Sequence, residues 1–279
     1  MLMRVIITSM LYRSDIYSIL VVFLNIALLS IPYTMGLTTP EYILAFIALS
    51  FLVFLSSIIT HNFMHKKIFH RDSHNMLFRA MLVLARGMSV TSVKIAHQNH
   101  HKFIRVKGDW MGKELELPKY GLLRIPAYIL KSIISVRLNK KKVSLTSEEK
   151  KLITIERIFL YLCISLLLYL DYAVFFSFTI PTWLLGQAGL VAVNLWQHDN
   201  VPVDPTNRNM SRDFTGKWLN LICLNNGLHS VHHKYPGAHW SKLPELHEDY
   251  VQRDDVDLIR ERSLIAYVFR SYVMLSTNS

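Results

Sequence analysis

Three stretches of this chain contain no Asp, Glu, Lys or Arg: residues 16 to 40, 42 to 60 and 172 to 197. Each is long enough to cross a bilayer as a helix, which takes about 20 apolar residues. A fourth segment, Ile158 to Leu170 ("IFLYLCISLLLYL"), becomes a full crossing if its helix begins near Ile153 and carries Asp171 to its far end. The first run is too long for a cleaved signal peptide and no small-x-small pattern follows it, so it is expected to stay as an anchor. Hydrophobic residues make up 51% of the chain and are clumped, unlike the even mixture of a soluble domain.

The predicted fold is an all-α integral membrane protein with spans at about 16–38, 42–60, 153–175 and 178–197. The spans form two hairpins, turned near 31–42 and 171–181. One membrane-embedded domain is expected over residues 1–279, with cytoplasmic segments 61–152 and 198–279. The orientation follows from charge: neither hairpin turn has a Lys or Arg, whereas residues 61–155 hold 19 of them against 6 Asp and Glu, and basic residues collect on the cytoplasmic side. Both termini are therefore expected in the cytoplasm. Attraction to anionic headgroups accounts for this basicity without nucleic acid. Within it, "GLLRIPAYILKSIISVRL" (121–138) and "RAMLVLAR" (79–86) each set two basic residues seven apart among apolar ones, as in a helix lying in the membrane interface. The C-terminal "SLIAYVFRSYVML" is too short to span and is expected to dock on the membrane or on the domain.

Cys163 and Cys223 are the entire thiol inventory, which excludes a disulfide framework and a four-cysteine metal site. No dinucleotide-binding glycine fingerprint is present. Metal binding has to rest on nitrogen and oxygen, and the 13 histidines are placed for it. His61 and His65 stand in "HNFMH", His97, His100 and His101 in "HQNHH", His198 in "NLWQHD", and His229, His232 and His233 in "HSVHH". All nine fall at or beyond the cytoplasmic ends of the predicted spans. On a helix, residues three or four apart share a face, so each H-x-x-x-H pair can grip one ion. The extra imidazole of each H-x-x-H-H box is rotated by about 100° and can reach a second. Nine imidazoles are too many for one metal and suit two. Zinc sites close with three or four protein ligands, so this set fits a redox-active pair of irons better. Asn194 shares the face of His198 and is placed to ligate weakly or to hold a metal-bound water. A lone H-x-x-x-H such as "HRDSH" (His70, His74) is weak by itself.

With boxes reading "HNFMH", "HQNHH" and "HSVHH" in that order, the chain resembles the membrane-bound fatty acid desaturases, over about residues 16 to 250. "NLWQHD", a further histidine with an asparagine four residues before it, is similar to the end of the fourth span in that family. "NNGLHSVHHKYPGAHWSKLP" (225–244) is similar to its bacterial members in particular, which would place the chain in the inner membrane. The resemblance implies two irons, O2 as co-substrate, two electrons per turnover, and a buried channel for an acyl chain. It does not fix the reaction, since related enzymes hydroxylate alkyl chains or decarboxylate fatty acids to terminal alkenes. Electrons are expected from a separate protein such as a ferredoxin, and an acidic acyl carrier protein is an equally reasonable partner for the basic segment. The substrate is expected as a free acid, thioester or phospholipid. Second-shell partners of the imidazoles are sought among Asp199, Asn225, Asn226 and His239, with Asp109 and Asp213 as alternatives that suit solvated loops equally. A metal carrier or sensor ranks behind the enzyme, because a transporter would place ionisable residues inside its spans.

Overall fold

The computed structural model describes residues 8–104, 106–112, 117, 121–202, 211–253 and 258–274. The expected cytoplasmic placement of the chain ends falls partly outside this set, at residues 1–7 and 275–279. The chain is an all-α integral membrane protein. Among the described residues, four helical segments are long and apolar enough to cross a membrane: Arg13–Thr34, Thr39–His65, Ser147–Leu170 and Tyr172–His198. Two compact units divide the chain, one comprising 1–94 and 145–190, the other 95–144 and 191–279.

The first unit holds the first hairpin and most of the second, whose last helix runs on past Leu190 into the second unit. Helix α1 (Ile16–Thr34) and helix α2 (Thr39–His65) are joined by a four-residue turn. Thr38 starts α2 with a reciprocal cap, its backbone N–H donating to Glu41 Oε2 at 2.8 Å. Helix α3 (Asp72–Arg86) ends at Gly87, whose φ of 64° closes the helix in the left-handed region. Helix α4 (Val90–Phe103) begins in the first unit and ends in the second; helix α5 (Gly121–Lys140) lies in the second. Helix α6 (Ser147–Leu170) opens on the same Thr-x-x-Glu box as α2: Thr146 N donates to Glu149 Oε2 at 2.9 Å and Glu149 N to Thr146 Oγ1 at 3.2 Å.

The second hairpin turns more tightly than the sequence suggests. The turn expected over 171–181 shrinks to Asp171, whose carboxylate caps Val174 N at 3.0 Å. The chain then stays helical through a π-turn, Phe175–Thr179, into helix α7 (Ile180–His198). Pro181 breaks an α-helical ladder, and the wider turn before it absorbs that lost donor. Tyr33 OH to Thr179 Oγ1 (2.8 Å) and Tyr42 OH to Ser177 Oγ (2.6 Å) tie the two hairpins at this end.

Segment 79–86 does not lie on the surface. Leu82, Val83, Ala85 and Arg86 are buried in α3, because Arg79 finds a carboxylate inside. Its Nη1 meets Glu156 Oε1 at 2.8 Å, and Glu156 also accepts from Thr91 N at 3.0 Å, Thr91 Oγ1 at 2.7 Å and Ser89 Oγ. Along α5, Tyr128 and Ser132 are buried while Leu122, Leu123, Leu130, Ile133, Ile134 and Leu138 are exposed, and Arg124 pairs with Asp199.

In the second unit, strand β1 (Arg212–Phe214) pairs in parallel with β2 (Ile259–Glu261). Helices α8 (Lys217–Ile222), α9 (His229–Lys234) and α10 (Leu243–Arg253) lie between them in the chain, and α11 (Leu264–Val268) follows. The C-terminal apolar segment docks on this unit: Tyr267 and Tyr272 are buried in one cluster with Tyr128, Leu195 and Phe214.

Glu156 is 3% exposed and is the common acceptor for three residues. Removing it as Glu156→Ala leaves the half-buried Arg79 guanidinium and the Ser89 and Thr91 donors without their acceptor and should cost about 2–3 kcal/mol. Thermal unfolding in detergent checks this: a large fall is expected for Glu156→Ala and a smaller one for Glu156→Gln, and an unchanged midpoint would rule the network out as a stabilising element.

Candidate metal centre

Four histidines of the second unit, His100, His198, His229 and His233, present ligand atoms that all lie within 4.8 Å of one another. Their Nε2 atoms form a chain: His100 to His198 at 3.1 Å, His198 to His229 at 3.0 Å, and His229 to His233 at 2.9 Å. Local helix geometry builds it. His229 and His233 are four apart on α9, His100 sits near the end of α4, and His198 is the last residue of α7.

Neutral imidazoles cannot satisfy this arrangement by themselves. A ring nitrogen either carries a proton and donates or bears a lone pair and accepts, yet the Nε2 atoms of His198 and His229 each face two others. A shared cation resolves the conflict, because all four lone pairs can then point at one acceptor. The spacing agrees: with metal–nitrogen bonds of about 2.1 Å, adjacent ligands of an octahedron stand about 3.0 Å apart. Burial, together with His229, His101, His100 and His198 around it, holds the His233 imidazole well below its ordinary pKa. It is therefore neutral near pH 7, as a metal ligand has to be.

A second group in the same unit comprises His97, His101 and His232. His101 Nε2 lies 2.8 Å from His97 Nε2 and 3.1 Å from His232 Nε2, so one imidazole again faces two. The H-x-x-H-H boxes thus divide as their geometry predicts, with His97 and His101 on one group and His100 on the other, and His229 and His233 together with His232 apart. In the first unit, His61 and His65 share one face at the end of α2, their ring centroids 5.3 Å apart.

Three carboxylates, the buried Asp109 and Asp213 and the partly buried Asp199, stand beside the histidine-bearing segments. Asp109 Oδ2 lies 2.9 Å from His100 Nδ1, and both side chains are almost wholly buried. That contact, with Nδ1 donating to the carboxylate, fixes the tautomer whose Nε2 presents its lone pair. Asp109 is itself held by Met111 N on Oδ1 at 2.9 Å, and the adjoining Trp110 N donates to Asn99 Oδ1 at 3.0 Å. Asp213 accepts from Ser230 N at 2.7 Å, from the Ser230 hydroxyl, and from His247 Nε2 at 3.1 Å. It acts on the third box through the first turn of α9, where backbone donors are unmatched. Asp199 takes Arg124 Nη2 at 2.5 Å and Tyr272 OH at 2.6 Å, and its carbonyl accepts from Arg212 Nη1 at 2.9 Å, which fastens the end of α7.

The other expected residues are placed as follows. Asn194 donates from Nδ2 to Tyr128 OH at 2.6 Å, and Tyr128 donates to Met111 O at 2.8 Å. Tyr128 escapes notice in the sequence, where it sits in an apolar run; only the folded chain pairs it with Asn194. Asn225 adopts a φ of 56° and donates to Trp240 O at 3.1 Å, while the Asn226 carbonyl accepts from Gln197 Nε2 at 2.7 Å. Both shape the turn before α9. His239 Nδ1 accepts from Ser241 N at 3.2 Å, capping the turn after it. Burial pushes the Cys223 thiol up to about 11, which keeps it protonated and unreactive.

The sequence model for the fatty acid desaturase family ("Fatty acid desaturase") matches residues 38–263. No curated protein matches the chain.

Replacing Asp109 should loosen the metal without removing a ligand. Asp109→Asn is expected to lower metal affinity by about 10–100-fold, read as metal retained per chain after dialysis against graded chelator, with Asp109→Glu recovering part of the loss. Equal retention in all three proteins would assign Asp109 a packing role alone.

Proposed function

The chain belongs to the fatty acid desaturase family, and on that premise we propose that it is a membrane-bound di-iron oxidoreductase that desaturates an unactivated CH2–CH2 pair of a fatty acyl chain with O2. The observation that carries the reading is the pair of imidazole groups whose Nε2 atoms converge at 2.8 to 3.1 Å. His100, His198, His229 and His233 hold one iron. His97, His101 and His232 hold the other, joined by His61 and His65 as the family's first box. Asn194, oriented by Tyr128, is placed to bind a metal-bound water through its side-chain oxygen.

The irons, when bound, supply the oxidant that an unactivated C–H bond requires. The chain's part is position. Nine neutral nitrogens leave the site strongly cationic, and Asp109 returns one negative charge at His100. Carboxylates that anchor rather than ligate keep the cage rigid, so that placement along the acyl chain selects the carbon. Hydroxylation, or decarboxylation to a terminal alkene, uses the same cage with the substrate held differently.

The orientation we infer puts both termini and the site in the cytoplasm, at the inner membrane of a bacterial cell. The basic charge of residues 61–155 supports it. Electrons then come from a separate acidic donor such as a ferredoxin, and the acyl chain arrives as a free acid, thioester, acyl carrier protein conjugate or phospholipid.

Purified protein should contain two irons per chain, and one zinc without iron would refute the reading. His232→Ala and His233→Ala should each abolish product while leaving the protein in the membrane. Expression in a host of defined lipids, followed by mass spectrometry, should show new internal double bonds; alkenes one carbon shorter, or hydroxylated chains, would transfer the assignment to those reactions.

A further inference from the structure

Ionisable side chains inside a membrane bundle are costly, and by default they mark function. In the first unit, the Arg79 guanidinium is neutralised by Glu156. Arg86, seven residues on, is not. It is 2% exposed, its Nε donates to Ser57 Oγ at 3.1 Å, and its Nη1 has no partner. Among the described residues no carboxylate pairs with it.

The surroundings hold this charge in place. Arg86 is the last residue of α3, and its carbonyl accepts from Gln187 Nε2 at 2.9 Å. Beside it, Gly87 gives way to the Trp183 ring: a Cβ there would stand 2.1 Å from Trp183 Cε3. Trp183 is itself 4% exposed and its Nε1 has no partner. Two donors in one buried neighbourhood thus point at nothing. Ser57 Oγ is occupied in turn, donating to the Val53 carbonyl at 2.9 Å, so the hydroxyl cannot serve as counter-charge. Structural arginines in apolar surroundings are paired with a charge or reach the surface, whereas this one is 2% exposed and its Nε meets only a neutral hydroxyl.

The charge also has a definite place relative to the first histidine box. Ser57 and His61 are four apart on α2, both buried, and therefore on one face about one helical turn apart, a rise of about 6 Å. A planar guanidinium whose Nε is fixed and whose Nη1 is open suits a carboxylate or a phosphate, and at 2% exposure inside the helices the small carboxylate fits better than the bulkier headgroup of a phospholipid.

We propose that Arg86 is the anchor for the ionised carboxylate of a free fatty acid, bound head-first into the helical bundle. The anchor is independent of any reaction. Its consequence for position rests on the proposed function: a carboxylate held near the level of Ser57 presents carbons of the carboxyl-proximal part of the chain to a metal centre that includes His61. Thioesters and phospholipids, which lack the carboxylate, are disfavoured as substrates.

The test is equilibrium binding of radiolabelled dodecanoic acid, methyl dodecanoate and dodecyl phosphate to the purified full-length protein in nanodiscs of neutral lipid. Wild type should bind the acid at least tenfold more tightly than the ester. Arg86→Gln should remove that preference with ester binding and metal content unchanged, and Arg86→Lys should keep part of it. Equal affinity of wild type for acid and ester overturns the proposal without reference to any variant, as does an unchanged preference in Arg86→Gln. Tighter binding of the alkyl phosphate, with one phospholipid per chain extracted from the purified protein, would assign the arginine to a headgroup instead and equally overturn it. Because binding needs no turnover, an acid preference without oxidised products would refute only the proposed reaction. Oxidised products without an acid preference would refute only the anchor.

Discussion

Hydrocarbon offers no hydrogen bonds, and that property orders the first unit. Every backbone amide inside the bilayer has to be satisfied within the chain, which leaves helices as the solution for single apolar runs. It also dictates how each buried polar side chain is used. Asn25 donates to Ser56 Oγ at 3.1 Å between α1 and α2, Thr60 returns its hydroxyl to the Ser56 carbonyl at 2.8 Å, and Glu156 gathers Arg79, Ser89 and Thr91. Asn25 Oδ1, Asn62 Nδ2 and Trp183 Nε1 are also buried without a partner, but these groups are neutral, whereas Arg86 leaves a charge open.

The second unit works under the opposite pressure. There the difficulty is an excess of lone pairs rather than a want of partners. Imidazoles brought to within about 3 Å repel or compete for protons unless a cation sits among them, so the fold has to hold them together before a metal can. Three carboxylates share that task by different routes. Asp109 works directly through an imidazole nitrogen, Asp213 through the first turn of α9, and Asp199 through Arg124, Tyr272 and the end of α7. Anchoring α7 in this way fixes His198, which has no box partner on its own helix to orient it.

Spans and histidine boxes were legible in the sequence because each is a local pattern: a run without charge, or imidazoles at helical spacing. Positions 79–86 were misread for the same reason. Two basic residues seven apart look identical whether they face headgroups or a buried glutamate 77 positions away in the chain. The second turn was misjudged because Pro181 signals a break, whereas a π-turn that accommodates it leaves no local mark. Asp109 could be named from its nearness to a box, but its choice of His100 Nδ1 over solvent depends on the fold. Tyr128 gave no sign at all and Arg86 showed only as one of two basic residues seven apart, since each takes its meaning from a residue far away in the sequence.

The separation of tasks bears on how one cage can serve several reactions. Histidine spacing gathers two groups of imidazoles that could each hold a metal ion, and it is indifferent to what is oxidised. The outcome depends on which carbon is presented, and that is decided by groups that never touch the metal. In an apolar channel, adjacent methylenes are nearly equivalent and sliding by one or two carbons costs little, since each buried CH2 contributes only about 0.8 kcal/mol. A single ionic contact breaks that degeneracy, because it fixes one end of the chain and converts a family of registers into one. A buried guanidinium bonded to Ser57, itself four residues from His61 on α2, is placed to do this, whereas further apolar contacts would not be.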